Sequence, residues 1–478
     1  MSLKRNFTFT FIDNFVSFLV FLVSSMVISR LLTPDELGIL AVAVSSIVLI
    51  TMFKNFGYTT YLIREPLLDD TKKSAVFTLS IITSTALFLI LFALAEFIGS
   101  AYGNQKITDI VYIISISIIT SPFHIVATGL IERKEKFKNL AIINIASETL
   151  FFISVMLLIY LDFGIFAIAI SNVLKSFMQI ILMMWTIWDD FVFKISLKKY
   201  KPILSFGMKM SFMSSLSRIQ ELLIPLIIGK YFGLNFAAFY DKGKSLPKII
   251  LHVLLPALGT AAFPHYTKKV RNNEPLNDTI LSHMQQGLLV FWPSLLAICL
   301  ISPNLIYYMF GVQWGHSVPV ASLLALASMF TIPVIFIRMG LVASGHENLA
   351  LKFIVANKIT LVLGVTLAFD YGINGVAFAI LLAEVITLIL SFAIIKKLDI
   401  TAYNYVSYLS KPFIIAILSN IPFFILSIFW QHEIVEDIYV VFIAVVSFIL
   451  IWTLLLFYLS PTYKSILLNL HAAVKKVF

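Results

Sequence analysis

Fourteen apolar runs of 18 residues or longer divide the 478-residue chain, near 8–30, 36–60, 75–99, 108–131, 139–161, 164–188, 203–229, 236–263, 280–303, 317–341, 349–369, 373–395, 412–430 and 438–459. A helix needs about 20 mostly apolar residues to cross about 30 Å of hydrocarbon, so each run is long enough to span a bilayer. At about 34 residues per run, almost nothing is left for a water-soluble domain. Inside a bilayer every backbone polar group must be bonded internally, which allows only helices or closed barrels. The short alternating segments of a barrel are absent. The expected fold is all-α, a polytopic membrane protein of about 14 transmembrane helices. Composition agrees: 60% of residues are hydrophobic and 13% charged, against roughly 25% charged in soluble domains. That excludes a cytosolic enzyme, a disulfide scaffold and a disordered chain. The lone Cys299 cannot form an internal disulfide.

The net charge of +10 has a topological explanation. With the N-terminus inside, the inner loops hold 23 basic residues, and the outer ends hold three: Arg30, Lys106 and Lys230. The positive-inside rule is obeyed loop after loop, placing both termini on the cytoplasmic side. No nucleic-acid partner is needed to explain the charge. The first run is too long for a signal peptide and lacks a small-residue cleavage site after it, so it is expected to persist as a helix. At the far end, Ile466, Leu467, Leu470, Val474 and Val477 alternate with Lys464, Lys475 and Lys476. This predicts a basic amphipathic cytoplasmic tail over 461–478 that lies on anionic membrane lipids.

Short matches recur at offsets of 200 to 211 residues: Asp162-Phe163-Gly164-Ile165 with Asp370-Tyr371-Gly372-Ile373, Gly129-Leu130 with Gly340-Leu341, and Arg30 with Lys230. Each falls at the corresponding place in its half. They imply two six-helix repeats, and because six is even both copies run parallel. The resulting organisation is an N-terminal six-helix lobe at 1–188, a cytoplasmic linker at 189–202, a second six-helix lobe at 203–395, two additional transmembrane helices at 396–460, and the tail.

Three motifs carry a family resemblance. Ser29-Arg30-Leu31-Leu32-Thr33-Pro34-Asp35-Glu36-Leu37-Gly38-Ile39 resembles the first-span signature of the Wzx-type polysaccharide flippases, members of the multidrug/oligosaccharidyl-lipid/polysaccharide exporter superfamily. Gly57-Tyr58 with Leu62-Ile63 is similar to that family's second-span ending. Phe239-Tyr240-Asp241-Lys242-Gly243-Lys244-Ser245-Leu246-Pro247 resembles its eighth span. The resemblance implies a flippase of the bacterial cytoplasmic (inner) membrane. Its substrate would be polyprenyl-diphosphate-linked oligosaccharide repeat units of O-antigen, capsule or exopolysaccharide. Its partners would be membrane lipids and the polymerase and chain-length proteins of the same pathway.

Ionisable residues within the runs point the same way. Each costs about 2.5–3.5 kcal/mol at mid-membrane, so it should face a wet cavity or a partner. Nine are basic and six acidic, a balance suited to an anionic substrate. A diphosphate needs cations, and the candidates are Arg30, Lys54, Arg218, Lys242, Lys244 and Arg338. Asp13, Ser17 and Ser24 form a polar stripe on the first helix; Ser211, Ser214, Arg218 and Glu221 form one on the seventh. No P-loop occurs, so ATP hydrolysis by this chain is not expected. Coupling to a H+ or Na+ gradient through Asp13, Glu221 or Asp241 is the alternative, with no cofactor and no metal. His124 and His252 read as packing histidines.

Other readings remain open at this level. A peptidoglycan-precursor flippase would also carry a diphosphate. A cation-coupled drug exporter of the same superfamily would favour an acidic cavity. A membrane polysaccharide polymerase or ligase would need a sizeable outer loop with basic residues, whereas the longest outer connection, 303–316, has none.

Overall fold

The computed structural model describes residues 2–198, 200–429 and 438–459, and among the described residues every regular element is helical. The expected tail at 461–478 lies outside them. Each of the fourteen apolar runs falls mainly on one helix or on two consecutive ones. Among the described residues ten helices qualify as membrane spans by length and mean hydropathy, and up to twelve when each of two sharply bent pairs counts as one. The other two, α9 and α10 below, are 32 and 38 residues long. Their apolar stretches are interrupted by Arg218 and Glu221 and by Asp241–Lys248.

The chain divides into two compact units, Met1–Ala238 and Phe239–Phe478. The first contains α1 (Ser2–Leu31), α2 (Pro34–Thr51), α3 (Tyr58–Arg64), α4 (Asp70–Ala101), α5 (Gln105–Ile119), α6 (Ser121–Arg133), α7 (Phe137–Tyr160), α8 (Phe166–Ile187), α9 (Tyr200–Tyr231) and the start of α10 (Leu234–Arg271). The second contains the rest of α10, then α11 (Asn277–Phe310), α12 (Ser317–Ala343), α13 (Glu347–Leu367), α14 (Gly372–Ile394), α15 (Ala402–Ser419), α16 (Ile421–Phe429) and α17 (Ile438–Leu459). The repeat boundary read from the sequence falls at 189–202. By packing, α9 goes with the first unit, because it lies against α2, α3 and α4.

The side-chain distribution is that of a protein with lipid around it. Phe97, Leu157, Val362 and Phe442 are exposed, while Ser29, Ser80, Ser147, Ser391 and Asn420 are wholly buried. Several of these hydroxyls turn back onto their own helix carbonyls, as Ser147 does onto Ile143 at 2.7 Å. Polar side chains can therefore sit inside without a foreign partner.

The motif at 29–39 has local structural duties. Thr33 caps α2 in a capping box, its Oγ1 accepting from the Glu36 amide at 3.3 Å while its own amide donates to Glu36 Oε2 at 2.9 Å. Gly38 allows the turn between α9 and α10 to press on α2; a Cβ there would collide with the Leu234 carbonyl. Tyr102 Oη donates to the Leu226 carbonyl at 3.0 Å, and Lys230 donates to the Ala101 carbonyl, tying α9 to the same end.

The expected helix over 36–60 is interrupted. Phe56 (φ 42°) and Gly57 (φ 67°) are both left-handed, which ends one helix and starts another at Tyr58. The α5–α6 pair bends by 46° just before Pro122, and the α15–α16 pair by 48° at Asn420. At the second bend the Asn420 side-chain amide donates to the Ala416 carbonyl at 2.7 Å, which the kink leaves open, and to the Pro293 carbonyl of α11 at 3.1 Å.

At the opposite end of unit 1 the basic loops gather, and their cations are built into the fold. Arg133 donates to the carbonyls of Leu62 (2.8 Å), Ile63 (3.3 Å), Glu65 (2.6 Å) and Pro66 (3.2 Å), closing the C-terminus of α3. Lys72 donates to Glu65 at 2.5 Å and to the Leu67 carbonyl at 2.6 Å. Lys136 donates to the Thr186 carbonyl at 3.1 Å. Replacing Arg133 with Met keeps the apolar stem but leaves these carbonyls without their cation. A loss of at least about 2 kcal/mol is expected, since hydrogen bonds to a charged group are each worth about 1.5–3 kcal/mol. Thermal unfolding of the purified protein checks it; an unchanged midpoint would show the clamp to be inert.

Candidate functional site

Unit 1 has a charged centre within its apolar bundle. From α1, the Asp13 carboxylate accepts from Ser17 Oγ at 3.1 Å and from Asn144 Nδ2 of α7 at 2.8 Å. One turn along α7, Glu148 acts electrostatically on Asp13 and forms an ion pair with Lys175 of α8. The Lys175 ammonium also lies 5.7 Å from the ring centroid of Phe151. His124 of α6 feels both Lys175 and Lys54, the latter in the non-helical break after α2. Five elements thus bring two carboxylates, two ammonium groups, an imidazole and an amide into one neighbourhood.

Unit 2 repeats the plan with different charges. Asn357 of α13 donates to Glu384 of α14 at 3.3 Å and to Thr387 Oγ1 at 2.7 Å. Arg338 of α12 acts electrostatically on the same Glu384 region. Glu148 and Asn357 stand 209 residues apart, as do Lys175 and Glu384, so the cross-helix link occupies equivalent places in the two copies. In the first copy it is acid to ammonium. In the second it is amide to acid, with a guanidinium near. Gly164 and Gly372, the matched glycines ahead of α8 and α14, both have positive φ, at 52° and 64°.

The other expected residues distribute as follows. Asp241 and Lys244 pair with each other at 3.1 Å on α10. Lys242 lies over Phe310 at 5.0 Å and Trp314 at 5.5 Å. Gly243 lets α10 close on α12, where a Cβ would come within 2.7 Å of Val320. These three charged groups are therefore engaged within unit 2. Arg30 ends α1 and is exposed, as is Glu221 on α9. The side chain of Arg218 lies outside the described residues. On the first polar stripe, Ser17 bonds Asp13, whereas Ser24 turns back to the Val20 carbonyl at 2.7 Å.

Four members of the unit 1 centre were not among the candidate site residues read from sequence: Asn144, Glu148, Lys175 and His124. His124, read from sequence as a packing residue, is largely buried and lies within the electrostatic reach of Lys54 and Lys175. The signal that could have found the centre is the duplication: aligning the copies at 209 residues pairs Glu148 with Asn357 and Lys175 with Glu384.

Across 97% of this chain and the whole of that one, the fold matches the lipid II flippase MurJ in an inward closed conformation, with a TM-score of 0.74 at 12% identity. It also matches an inward-facing multidrug resistance MATE family transporter of the MOP superfamily over 80% of this chain and 95% of that one, with a TM-score of 0.67 at 15% identity. A family model described as polysaccharide biosynthesis protein matches residues 27–319, and the chain belongs to that family. Similar relatives include the teichuronic acid biosynthesis protein TuaB of Bacillus subtilis, 24% identical and covering 87% of each chain. The lipopolysaccharide biosynthesis protein WzxC of Escherichia coli is 20% identical over 83% of this chain and 82% of its own. The resemblance carried by the 29–39 motif agrees with these relatives.

Proposed function

We propose that this chain is a flippase that moves polyprenyl-diphosphate-linked oligosaccharide repeat units from the inner to the outer leaflet of the bacterial cytoplasmic membrane. It would do so by ion-coupled alternating access, with both termini in the cytoplasm. The observation that carries this reading is the charged centre of unit 1. A diphosphate brings concentrated negative charge, and Lys54 and Lys175 offer cations in an apolar surround, where charge-assisted hydrogen bonds are strong, with the His124 imidazole near both as a neutral hydrogen-bonding group. The lipid tail needs no protein polar group and can remain in the bilayer. Asp13 is the favoured coupling residue of the three acids considered, because it is held by Ser17 and Asn144 beside a second carboxylate. Protonation or cation binding at Asp13 would alter the balance felt by Lys175 and Lys54, linking ion occupancy to anion affinity.

Relatives named for teichuronic acid, succinoglycan and lipopolysaccharide biosynthesis favour exported polysaccharide over the peptidoglycan precursor as the cargo. The test is Asp13→Asn, which keeps size and hydrogen-bonding capacity but removes the charge. Surface polysaccharide should fall at least tenfold in a deletion strain carrying the variant, with normal membrane abundance of the protein. Wild-type polysaccharide from the variant would remove Asp13 from the coupling role.

A further inference from the structure

Between α8 and α9 the chain leaves the α-helix. A single 3-10 turn, Trp188–Asp190, is followed by irregular backbone over 191–197. This connection is fixed to unit 1 at several points. Lys134 pairs with the Asp190 carboxylate, Lys73 donates to the Asp190 carbonyl at 3.4 Å, and the Ser196 amide donates to Thr78 Oγ1 at 2.9 Å. Phe191 is buried, its ring edge-on to Phe77 at 5.1 Å and stacked on Phe123 at 6.1 Å.

Held in this way, the segment still presents a row of large apolar side chains outward. Phe193, Ile195 and Leu197, every second residue, are 53%, 75% and 50% exposed. Trp185 and Trp188 at the end of α8 are 83% and 64% exposed. Lys194 and Lys198, interleaved with them, are exposed too. The anchors belong to the end of unit 1 where Lys73, Arg133, Lys134 and Lys136 gather. Tryptophans and apolar residues alternating with lysines, at the end of a membrane bundle, have the chemistry of the lipid headgroup boundary. An interface for a soluble protein would be depleted in lysine at its core.

We propose that residues 185–198 form an interfacial strap that binds anionic phospholipid at the basic-loop end of the membrane. The aromatic and aliphatic side chains enter the acyl boundary, while Lys194 and Lys198 meet lipid phosphates.

Native mass spectrometry of the purified full-length protein, with phosphatidylglycerol or phosphatidylcholine added to the detergent, tests the proposal. The wild type should retain phosphatidylglycerol in preference, and Lys194→Gln with Lys198→Gln should lower that retention at least threefold. Equal retention by the double variant would overturn it. A second reading uses vesicles of brominated phosphatidylglycerol, which should quench Trp185 and Trp188. Trp185→Phe with Trp188→Phe should then remove part of the quenchable emission, and no change in that fraction would also overturn the strap.

Discussion

Lys54→Gln is expected to reduce exported polysaccharide at least tenfold without changing how much protein reaches the membrane. Glutamine retains most of the side chain's length and polarity, so the substitution removes charge and little else. Lys54 follows α2 in the break around Phe56 and Gly57, where no helix hydrogen-bond ladder depends on it. It acts electrostatically on His124 together with Lys175, so the substitution removes one of the two cations at the centre. A tenfold loss corresponds to about 1.4 kcal/mol of binding, modest for one cation against a diphosphate in a low-dielectric site. Membrane immunoblots and surface polysaccharide measured in the same cells separate export from expression. Lipid-linked repeat units should accumulate in the variant, while Lys106→Gln, in the first turn of α5 at the other end of unit 1, should export normally.

The second large effect is on stability. Lys175→Met should destabilise the protein by about 3–5 kcal/mol, because it leaves Glu148 partly buried without its cation. Both side chains are less than a quarter exposed, at 23% and 24%, so solvent compensates little. Adding Glu148→Gln to Lys175→Met should recover most of the loss, since the remaining amide and thioether bury no net charge. The second repeat supplies the precedent: its equivalent link, Asn357 to Glu384, uses an amide on α13. Thermal unfolding of the single and double variants in detergent measures the cycle. If the double variant is no more stable than Lys175→Met, the ion pair is not what the single variant disrupts.

Much of this architecture could be read from apolar run lengths, because the bilayer sets a minimum length and forbids unpaired backbone. Breaks within the runs were not legible in the same way. Phe56, an ordinary apolar residue by pattern, adopts a left-handed conformation, and Asn420, where α15 bends from α16, donates its side-chain amide to a distant carbonyl. Asp13 stood out as an acid on a polar stripe. Its partners did not, because Asn144 and Glu148 come to Asp13, and Lys175 to Glu148, only through packing of α1, α7 and α8. For Lys242 and Lys244, the sequence gives charge in an apolar helix but not the Asp241 carboxylate and the aromatic rings that take it up. Likewise, the basic loops register orientation in sequence, while their service as caps for helix carbonyls emerges only in three dimensions.

The central claim is that the unit 1 centre carries a diphosphate-linked saccharide across the membrane. Its most direct test is translocation by purified protein in vesicles, using a fluorescent polyprenyl-diphosphate oligosaccharide and an imposed H+ or Na+ gradient. The wild type should transfer the lipid between leaflets under the gradient, and Lys54→Gln and Asp13→Asn should each slow transfer at least tenfold. Transfer by both variants at the wild-type rate would contradict the account.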